Sequence, residues 1–265
     1  MIIDIHTHCF PDKLATRAVP YLAAQAGIPA HTDGTVKALK DSMKRAGIDI
    51  CVLQPIATKP EQTPGVNSWA VSVQDKSIIS FGTIHPDYPL WQDEIRALSD
   101  AGIRGVKFHP DYQNFFADSP KLFPIYEAIF NRDMVILFHA GIDIGLPSPC
   151  HCTPAMLKGL TDAFPGAPII AAHMGGYLLW DDVKHYLIGR DIYLDTSYSF
   201  ADLGPDGMTE IVKTHGAGKI LFGTDSPWVN QRKEIFNIRS LPLEEKDINA
   251  ILGGNARKLL KLGEI

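Results

Sequence analysis

The feature that most constrains the fold is a regular alternation of short apolar runs with longer amphipathic segments along the whole chain. Eight runs are continuously hydrophobic rather than alternating, which is typical of parallel strands buried on both faces. The predicted strands cover residues 2–5, 50–53, 78–83, 105–108, 135–138, 168–172, 192–195 and 220–223.

Amphipathic segments between these runs predict helices over residues 35–46, 90–100, 120–131, 154–164, 178–187, 208–215 and 230–239, with two terminal helices over 243–252 and 255–262. Thr35 is a capping residue at the start of the first of these helices, and Gly47 follows its end. Asn255 follows two glycines and is a plausible N-cap of the last one.

Repeated strand–helix units over about 250 residues are the pattern of a (β/α)8 TIM barrel, here of the α/β class with C-terminal helices. A doubly wound open sheet is the alternative. It is disfavoured because His6-Thr7-His8 stands where a glycine-rich phosphate loop would follow the first strand. We therefore predict one barrel domain over residues 1–265.

Composition sets limits on the partners of the chain. The net charge of −5 gives no basic face for nucleic acid or an anionic membrane, and no apolar run approaches the ~20 residues of a membrane span. The N-terminus does not resemble a secretory signal, and we interpret the four cysteines as reduced thiols. These features favour a cytoplasmic protein with neither nucleic acid nor a membrane as its partner, and they say nothing about its chemistry.

Histidines concentrate at one kind of position in this pattern. Five of the ten lie at or just past the carboxyl end of a predicted strand, and Asp225 follows the eighth strand in the same way; the five are His6, His8, His109, His139 and His173. Because the carboxyl ends of the strands meet on one face of a parallel barrel, we expect these side chains to converge where active sites of this fold are built.

Several of these residues are of the types that bind divalent metals. His6 and His8, two positions apart on an extended backbone, can both reach one ion. A carboxylate such as Asp225 at the end of a buried strand is costly unless it is paired, although an N-cap role is the alternative. His139 follows an apolar run, where a packed core histidine is the alternative to a metal ligand, and neutral imidazoles suit zinc and similar ions.

A second set of residues is predicted to contact substrate. Lys107 shares two-residue spacing with His109, and it could be a carboxylated bridging lysine, an anion contact or half of a buried ion pair. Arg104 and Trp228 are further candidates for substrate binding. The Cys150-His151-Cys152 sequence lies in a proline-rich loop without a second cluster, and we interpret it as an ordinary loop over the active face.

The motifs Asp4-Ile5-His6-Thr7-His8, Phe138-His139-Ala140, Ala172-His173-Met174-Gly175-Gly176 and Phe222-Gly223-Thr224-Asp225-Ser226-Pro227 resemble the amidohydrolase superfamily in order and over the whole chain. They are most similar to the amidohydrolase-2 branch, which includes the aminocarboxymuconate-semialdehyde and resorcylate decarboxylases.

The resemblance implies one divalent metal, usually zinc, held by His6, His8, His139 and Asp225. It implies that His173, with Asp225, activates the metal-bound water or handles the proton. Manganese is also compatible with such ligands, and a second metal beside Lys107 and a homo-oligomer such as a dimer are left open.

Two reactions fit this expectation. The leading hypothesis is hydrolysis of a small carboxylate, lactone, amide or ester by a metal-activated water. The alternative is non-oxidative decarboxylation of a small unsaturated or aromatic acid at the same site. A phosphoesterase is weaker because few basic residues lie beside the motifs, and a catalytically inactive metal-binding barrel is the non-enzyme alternative.

Overall fold

The computed structural model describes residues 1–263, and its centre is a parallel sheet. The strand segments are β1 Ile3–Thr7, β2 Ile50–Leu53, β3 Ile78–Ser80, β4 Gly82–Thr83, β5 Gly105–Phe108, β6 Val135–Phe138, β7 Ile169–Ala171, β8 Tyr193–Asp195 and β9 Ile220–Leu221. Two of these segments, β3 and β4, are halves of one predicted strand separated at Phe81. The segments therefore correspond to the eight predicted strands.

Backbone hydrogen bonds close the sheet into a barrel. Neighbouring segments pair in parallel in chain order from β1 to β3 and from β4 to β9. At the remaining junction, the Ile5 amide donates to the Phe222 carbonyl at 2.8 Å, and the Asp225 amide donates to the His6 carbonyl at 2.8 Å. The predicted (β/α)8 barrel is thus confirmed.

Alternate residues of each strand explain why the predicted strands are continuously apolar. In β6, Val135 and Leu137 pack in one buried apolar cluster, whereas Ile136 and Phe138 pack in a second, larger one that includes residues from the helices. Successive side chains of a strand point to opposite faces, so a strand with both faces covered is hydrophobic at every position.

Helices follow most of the strands. They are α1 Asp12–Ala26, α2 Val36–Ala46, α3 Thr63–Ser72, α4 Trp91–Asp100, α5 Pro110–Gln113, α6 Phe123–Phe130, α7 Pro154–Ala163, α8 Trp180–Tyr186, α9 Phe200–His215, α10 Gln231–Arg239, α11 Glu245–Asn249 and α12 Asn255–Leu259. The predicted ends of α2 are confirmed, because the Thr35 hydroxyl accepts from the Ala38 amide and Gly47 adopts a left-handed φ of 74°.

Three helices were not predicted: the single turn α5 and the longer α1 and α3, for which the reason lies in their weak apolar periodicity. Within α1 only Ala15 and Val19 are buried, and Pro20 interrupts the sequence pattern of a helix. The α3 helix likewise has a mixed buried face of Thr63, Asn67 and Ala70. Sequence periodicity marks helices that bury an apolar stripe, and neither of these does so.

The C-terminal region differs from its prediction in detail. The predicted helix over residues 243–252 is divided into α11 and a π-helical turn, Ala250–Gly254, which runs directly into α12. The predicted N-cap role of Asn255 is wrong, because its side-chain amide donates to the carbonyls of Ala217 and Ile220, both at 2.7 Å. Helix α9 also begins earlier than predicted, at Phe200, with a kink at Gly204.

No helix within residues 1–263 combines the length and apolar character that crossing a bilayer requires. The four cysteines, all within the described residues, are free thiols, as predicted.

A buried carboxyl group lies on α10, which packs against α2. Glu234 is 5% exposed, and its carboxyl oxygen accepts from the side-chain amide of Asn237 at 2.9 Å. Burial raises the pKa of Glu234 from 4.5 to about 7, because the charged form loses its hydration.

We expect Glu234→Gln to change the pH dependence of stability. Between pH 4.5 and about 7 the unfolded chain carries the charged carboxylate while the folded protein holds the proton, so wild-type stability falls as the pH rises through this range. The variant should therefore be about 2 kcal/mol more stable than wild type at pH 8 and similar to it at pH 4.5. Denaturant unfolding at both pH values measures this difference. Glu245→Gln, at an exposed site on α11, is the matched control, and an equal gain at both pH values would contradict the expectation.

Candidate metal centre

A cavity of about 650 Å³ opens at the carboxyl ends of the barrel strands. All but one of the predicted site residues line it; these are His6, His8, Lys107, His109, His139, His173, Asp225 and Trp228. The convergence that strand-end positions predicted is therefore present.

Three predicted metal ligands form one compact donor group. The Nε2 atom of His8 lies 3.0 Å from Asp225 Oδ1, and the Nε2 atom of His6 lies 3.5 Å from the same oxygen. One potential ligand atom from each of the three residues lies within 4.8 Å of the other two, a spacing at which one ion can contact all three. Two imidazole nitrogens and a carboxylate oxygen are ligands that zinc and similar divalent ions accept.

The other ring nitrogen of each histidine is held by a hydrogen bond. His6 Nδ1 donates to Asp195 Oδ2 at 2.9 Å, and His8 Nδ1 donates to the Gln54 carbonyl at 2.9 Å. These bonds place the ring proton on Nδ1, so Nε2 presents a lone pair to the donor group. Fixing a metal-binding imidazole through its second nitrogen sets both its tautomer and its orientation.

Burial and neighbouring charges favour the protonation states that metal binding needs. Burial, aided by the Lys107 ammonium, lowers the pKa of His6 to about 4, so its ring is neutral at neutral pH. Burial alone would raise the pKa of Asp225, but interactions with the adjacent His8 and His6 side chains hold it well below its usual range. A neutral imidazole and an ionised carboxylate are the forms that bind a cation.

His139 and His173 form a second hydrogen-bonded chain in the cavity. His173 Nδ1 lies 3.0 Å from the Ser197 carbonyl, and because a carbonyl only accepts, this nitrogen carries the proton. His173 Nε2 then accepts from His139 Nδ1, also at 3.0 Å. The chain leaves His139 Nε2 without a proton, and this buried atom has no hydrogen-bond partner among the described residues.

The unpartnered nitrogen of His139 belongs to a second donor group. His109 Nε2 lies 3.3 Å from Asp143 Oδ2, and His139 Nε2 lies 4.0 Å from that oxygen. One potential ligand atom from each of these three residues again lies within 4.8 Å of the others. The structure therefore brings three of the four predicted ligands into one group and places His139 in the adjacent one.

These observations fit a divalent metal at the base of the cavity. His6, His8 and Asp225 would hold it through atoms that are already unprotonated, and His139 offers a further lone pair that the protein leaves unused. The ligand set of His6, His8, His139 and Asp225 stays a prediction, and so do the identity and number of the ions.

Lys107 is fully buried beside the first donor group. Its Nζ atom lies 3.3 Å from His6 Nε2. Burial lowers its pKa to about 8, while the carboxylates of Asp195 and Asp225 act in the opposite direction. At neutral pH this side chain is therefore mainly an ammonium group that faces the cavity.

Arg104 does not join the site. It is exposed and directly precedes β5, at the amino-terminal end of the strand, whereas the cavity lies at the carboxyl ends. The prediction that Arg104 contacts substrate in this cavity is wrong. Although Arg104 is close to Lys107 in sequence, the short strand β5 separates Arg104 from the end of the barrel where the cavity lies. Trp228, the other further candidate for substrate binding, does line the cavity.

The Cys150-His151-Cys152 loop is not part of the lining of this cavity. His151 Nδ1 lies 2.9 Å from Asp111 Oδ1, and the Cys150 thiol donates to the Gly141 carbonyl at 3.0 Å. These contacts attach the loop to neighbouring backbone and side chains, in agreement with its interpretation as an ordinary loop.

Two glycines allow the close approach of the segments that carry the histidines. Gly141 has a φ of +87°, and a Cβ there would lie 2.0 Å from the Tyr177 amide nitrogen. A Cβ on Gly223 would lie 3.0 Å from His6 Cβ. Larger residues at either position would displace a segment next to a donor group.

Sequence reasoning missed several residues that position the site. Asp195 is fully buried, and in addition to its bond to His6 it accepts from the His173 amide at 3.1 Å. It ends the seventh predicted strand, so the strand-end rule used for the histidines applies to it equally. Gln54 directly follows the second predicted strand and Ser197 lies just past the seventh, but both accept through backbone carbonyls, which a search for polar side chains does not mark. Asp143 lies further beyond its strand, where sequence pattern does not fix the path of a loop.

Comparison with known proteins places this geometry in a family. A family profile described as amidohydrolase matches residues 3–262, and no curated protein matches the chain significantly. Among solved structures, an uncharacterised TIM-barrel protein from Bordetella bronchiseptica is similar over 98% of both chains, with 19% identity and a TM-score of 0.78.

Two decarboxylases have the same fold. The 2,6-dihydroxybenzoate decarboxylase from Rhizobium is 17% identical over 98% of both chains, with a TM-score of 0.74. A dihydroxybenzoic acid decarboxylase from Polaromonas, solved with bound manganese and the inhibitor 2-nitroresorcinol, is 17% identical over 100% of this chain and 98% of its own, with a TM-score of 0.73. At these identities the likeness establishes the fold.

We expect Asp195→Asn to weaken metal binding by about 10- to 100-fold, because His6 would lose the carboxylate that fixes its ring. Titration of the metal-free protein with zinc and with manganese measures the dissociation constants. Asp191→Asn, at an exposed residue four positions earlier, is the matched control and should bind metal like wild type. Wild-type affinity in a folded Asp195→Asn protein would contradict the role assigned to this carboxylate.

Proposed function

Because the chain belongs to the amidohydrolase family, in the branch that its motifs indicated, we propose that it is a metal-dependent enzyme that decarboxylates an organic acid without oxidation. The observation that carries the proposal is the arrangement of the cavity, where the donor group of His6, His8 and Asp225 lies beside the Lys107 ammonium. This end of the cavity can therefore bind and orient a carboxylate.

Two considerations support decarboxylation over hydrolysis, the reaction that the sequence alone favoured. Solved structures with this fold from Rhizobium and Polaromonas are decarboxylases of dihydroxybenzoic acids, and one of them contains manganese. In addition, most of the cavity wall is apolar, and a water-poor site favours loss of the charged carboxylate as neutral carbon dioxide.

The residues of the chain have distinct tasks in this proposal. A divalent ion held by His6, His8 and Asp225 would polarise the carboxylate and an adjacent oxygen of the substrate. Lys107 would neutralise the charge of the carboxylate through its ammonium group. The apolar wall would exclude water from the reacting carbon atom.

His173 is the proposed proton carrier. It is 4% exposed, it lines the cavity, and the Ser197 carbonyl holds its Nδ1 proton, so Nε2 is the nitrogen that would exchange a proton with the substrate, in place of its hydrogen bond from His139. The protonated side chain would donate to the carbon that bears the carboxylate. A π bond of the substrate supplies the electron pair of the new C–H bond; the bond to the carboxylate then breaks, its electron pair restores that π bond, carbon dioxide leaves, and solvent returns a proton to His173.

Hydrolysis is the second candidate, and the description of the family profile as amidohydrolase favours it. Water would then attack a carbonyl beside an ion held by the same donor group, and His173 would take a proton from this water and pass it to the leaving group as the bond to that group breaks. The two reactions differ in product, since only decarboxylation releases carbon dioxide.

We expect the metal-loaded protein to release carbon dioxide from members of a panel of aromatic and unsaturated carboxylic acids. Removal of the metal with a chelator should lower the rate at least 100-fold, and zinc or manganese should restore it. Carbon dioxide release, measured together with the acid consumed, tests this expectation. Turnover of an ester, lactone or amide without release of carbon dioxide would show that the protein is a hydrolase. Turnover that persists after the metal is removed would contradict both proposed reactions.

We expect His173→Asn to lower the decarboxylation rate about 100-fold or more, because the proton carrier is lost. Metal content should stay close to that of wild type, since His173 lies outside both donor groups. His185→Asn, at an exposed histidine on α8, is the matched control and should keep full activity. An active His173→Asn protein would show that another group supplies the proton.

A further inference from the structure

The charged side chains of the cavity lie at its base, and the polar side chains elsewhere in its lining, such as Thr58, Gln62 and Tyr198, are uncharged. Above the donor groups most of the wall is apolar, contributed by α1, by the loop after β2, by α3 and by the loop after β6; it includes Leu14, Leu22, Val66, Trp69, Ile142 and Ile144. Leu14, Ile142 and Ile144 are also 39% to 44% exposed, so they lie at the mouth of the cavity.

Positive charge is scarce along this wall. Among the described residues that line the cavity, Lys107 is the single lysine or arginine, and it lies at the base. The other charged groups of the lining are the carboxylates of Asp143 and Asp225. A second acidic group on the substrate would therefore be desolvated against apolar side chains or would face a carboxylate, and both are unfavourable.

The size of the cavity adds a second constraint. Its volume of about 650 Å³ lies inside the range of roughly 300–1,000 Å³ that is typical of pockets for drug-sized ligands. A single-ring acid bound at the base would leave the wall of α1 and α3 in contact with water. Burial of apolar substrate surface against this wall would strengthen binding.

We infer that the substrate is a monocarboxylic acid whose body is an apolar group larger than one aromatic ring. Its carboxylate lies at the base beside Lys107 and the donor groups, and its apolar body extends toward the mouth between α1 and α3. This inference rests on the proposed function for the position of the carboxylate, and it adds the charge and the size of the rest of the molecule.

Binding of three acids to the metal-loaded protein tests the inference without requiring turnover. The probes are benzoate, 2-naphthoate and naphthalene-2,6-dicarboxylate, measured by titration calorimetry. We expect 2-naphthoate to bind at least tenfold more tightly than benzoate, since each buried carbon contributes about fourfold in affinity. We expect the dicarboxylate to bind at least tenfold more weakly than 2-naphthoate, because its second carboxylate would meet the apolar wall.

Two variants on α1 test whether the apolar wall is where the naphthalene ring of 2-naphthoate binds. Leu22→Asn makes the wall polar and should weaken 2-naphthoate at least fivefold while changing benzoate less than twofold. Tyr21→Asn is the matched control, because Tyr21 is 67% exposed on the same helix and does not line the cavity. The series of acids on the wild-type protein tests the inference even if Leu22→Asn does not fold.

Two results would overturn the inference. Benzoate or the dicarboxylate binding as tightly as 2-naphthoate would do so while leaving decarboxylation intact. Failure of all three acids to bind would also overturn it, and the carbon dioxide assay would then decide independently whether the proposed reaction stands.

Discussion

The backbone hydrogen bonds between β1 and residues 222–226 bring the two ends of the barrel sheet together at the donor group. They join the Ile5 amide to the Phe222 carbonyl and the Asp225 amide to the His6 carbonyl, across more than 200 positions of sequence. The same contacts that close the sheet thus set the separation of His6 and His8 from Asp225. A barrel that opened at this junction would keep most of its strands but lose the geometry of the site.

Closure alone would leave the imidazole rings free to rotate, and buried acceptors remove that freedom. Asp195 and the Gln54 carbonyl each take the Nδ1 proton of one histidine, and the Ser197 carbonyl takes that of His173. Each acceptor follows a strand, as the histidines do. The barrel therefore supplies both the donor atoms and the groups that orient them from one ring of strand ends, so the geometry of the cavity base is set by the fold.

Much of this could be predicted from sequence, because a strand buried on both faces gives a continuous apolar run and the next polar residue marks its carboxyl end. That rule located His6 and Asp225, and it would have located Asp195. The direction in which a ring points depends on side-chain rotation, which no pattern encodes, so the place of His139 in the adjacent group could not be foreseen. Arg104 was misplaced because a few residues along a strand separate the two ends of the barrel.

The helix α1 contributes to the cavity without taking part in the barrel. It buries only Ala15 and Val19, yet it presents Leu14 and Leu22 to the space above the donor groups. The groups proposed for the chemistry lie at the ends of strands, whereas this wall lies on a surface helix that tolerates exchange of side chains. Substitutions in α1 can therefore accumulate without loss of the reaction. Over evolutionary time, the compound that is consumed can change in a lineage while the bond that is broken stays the same.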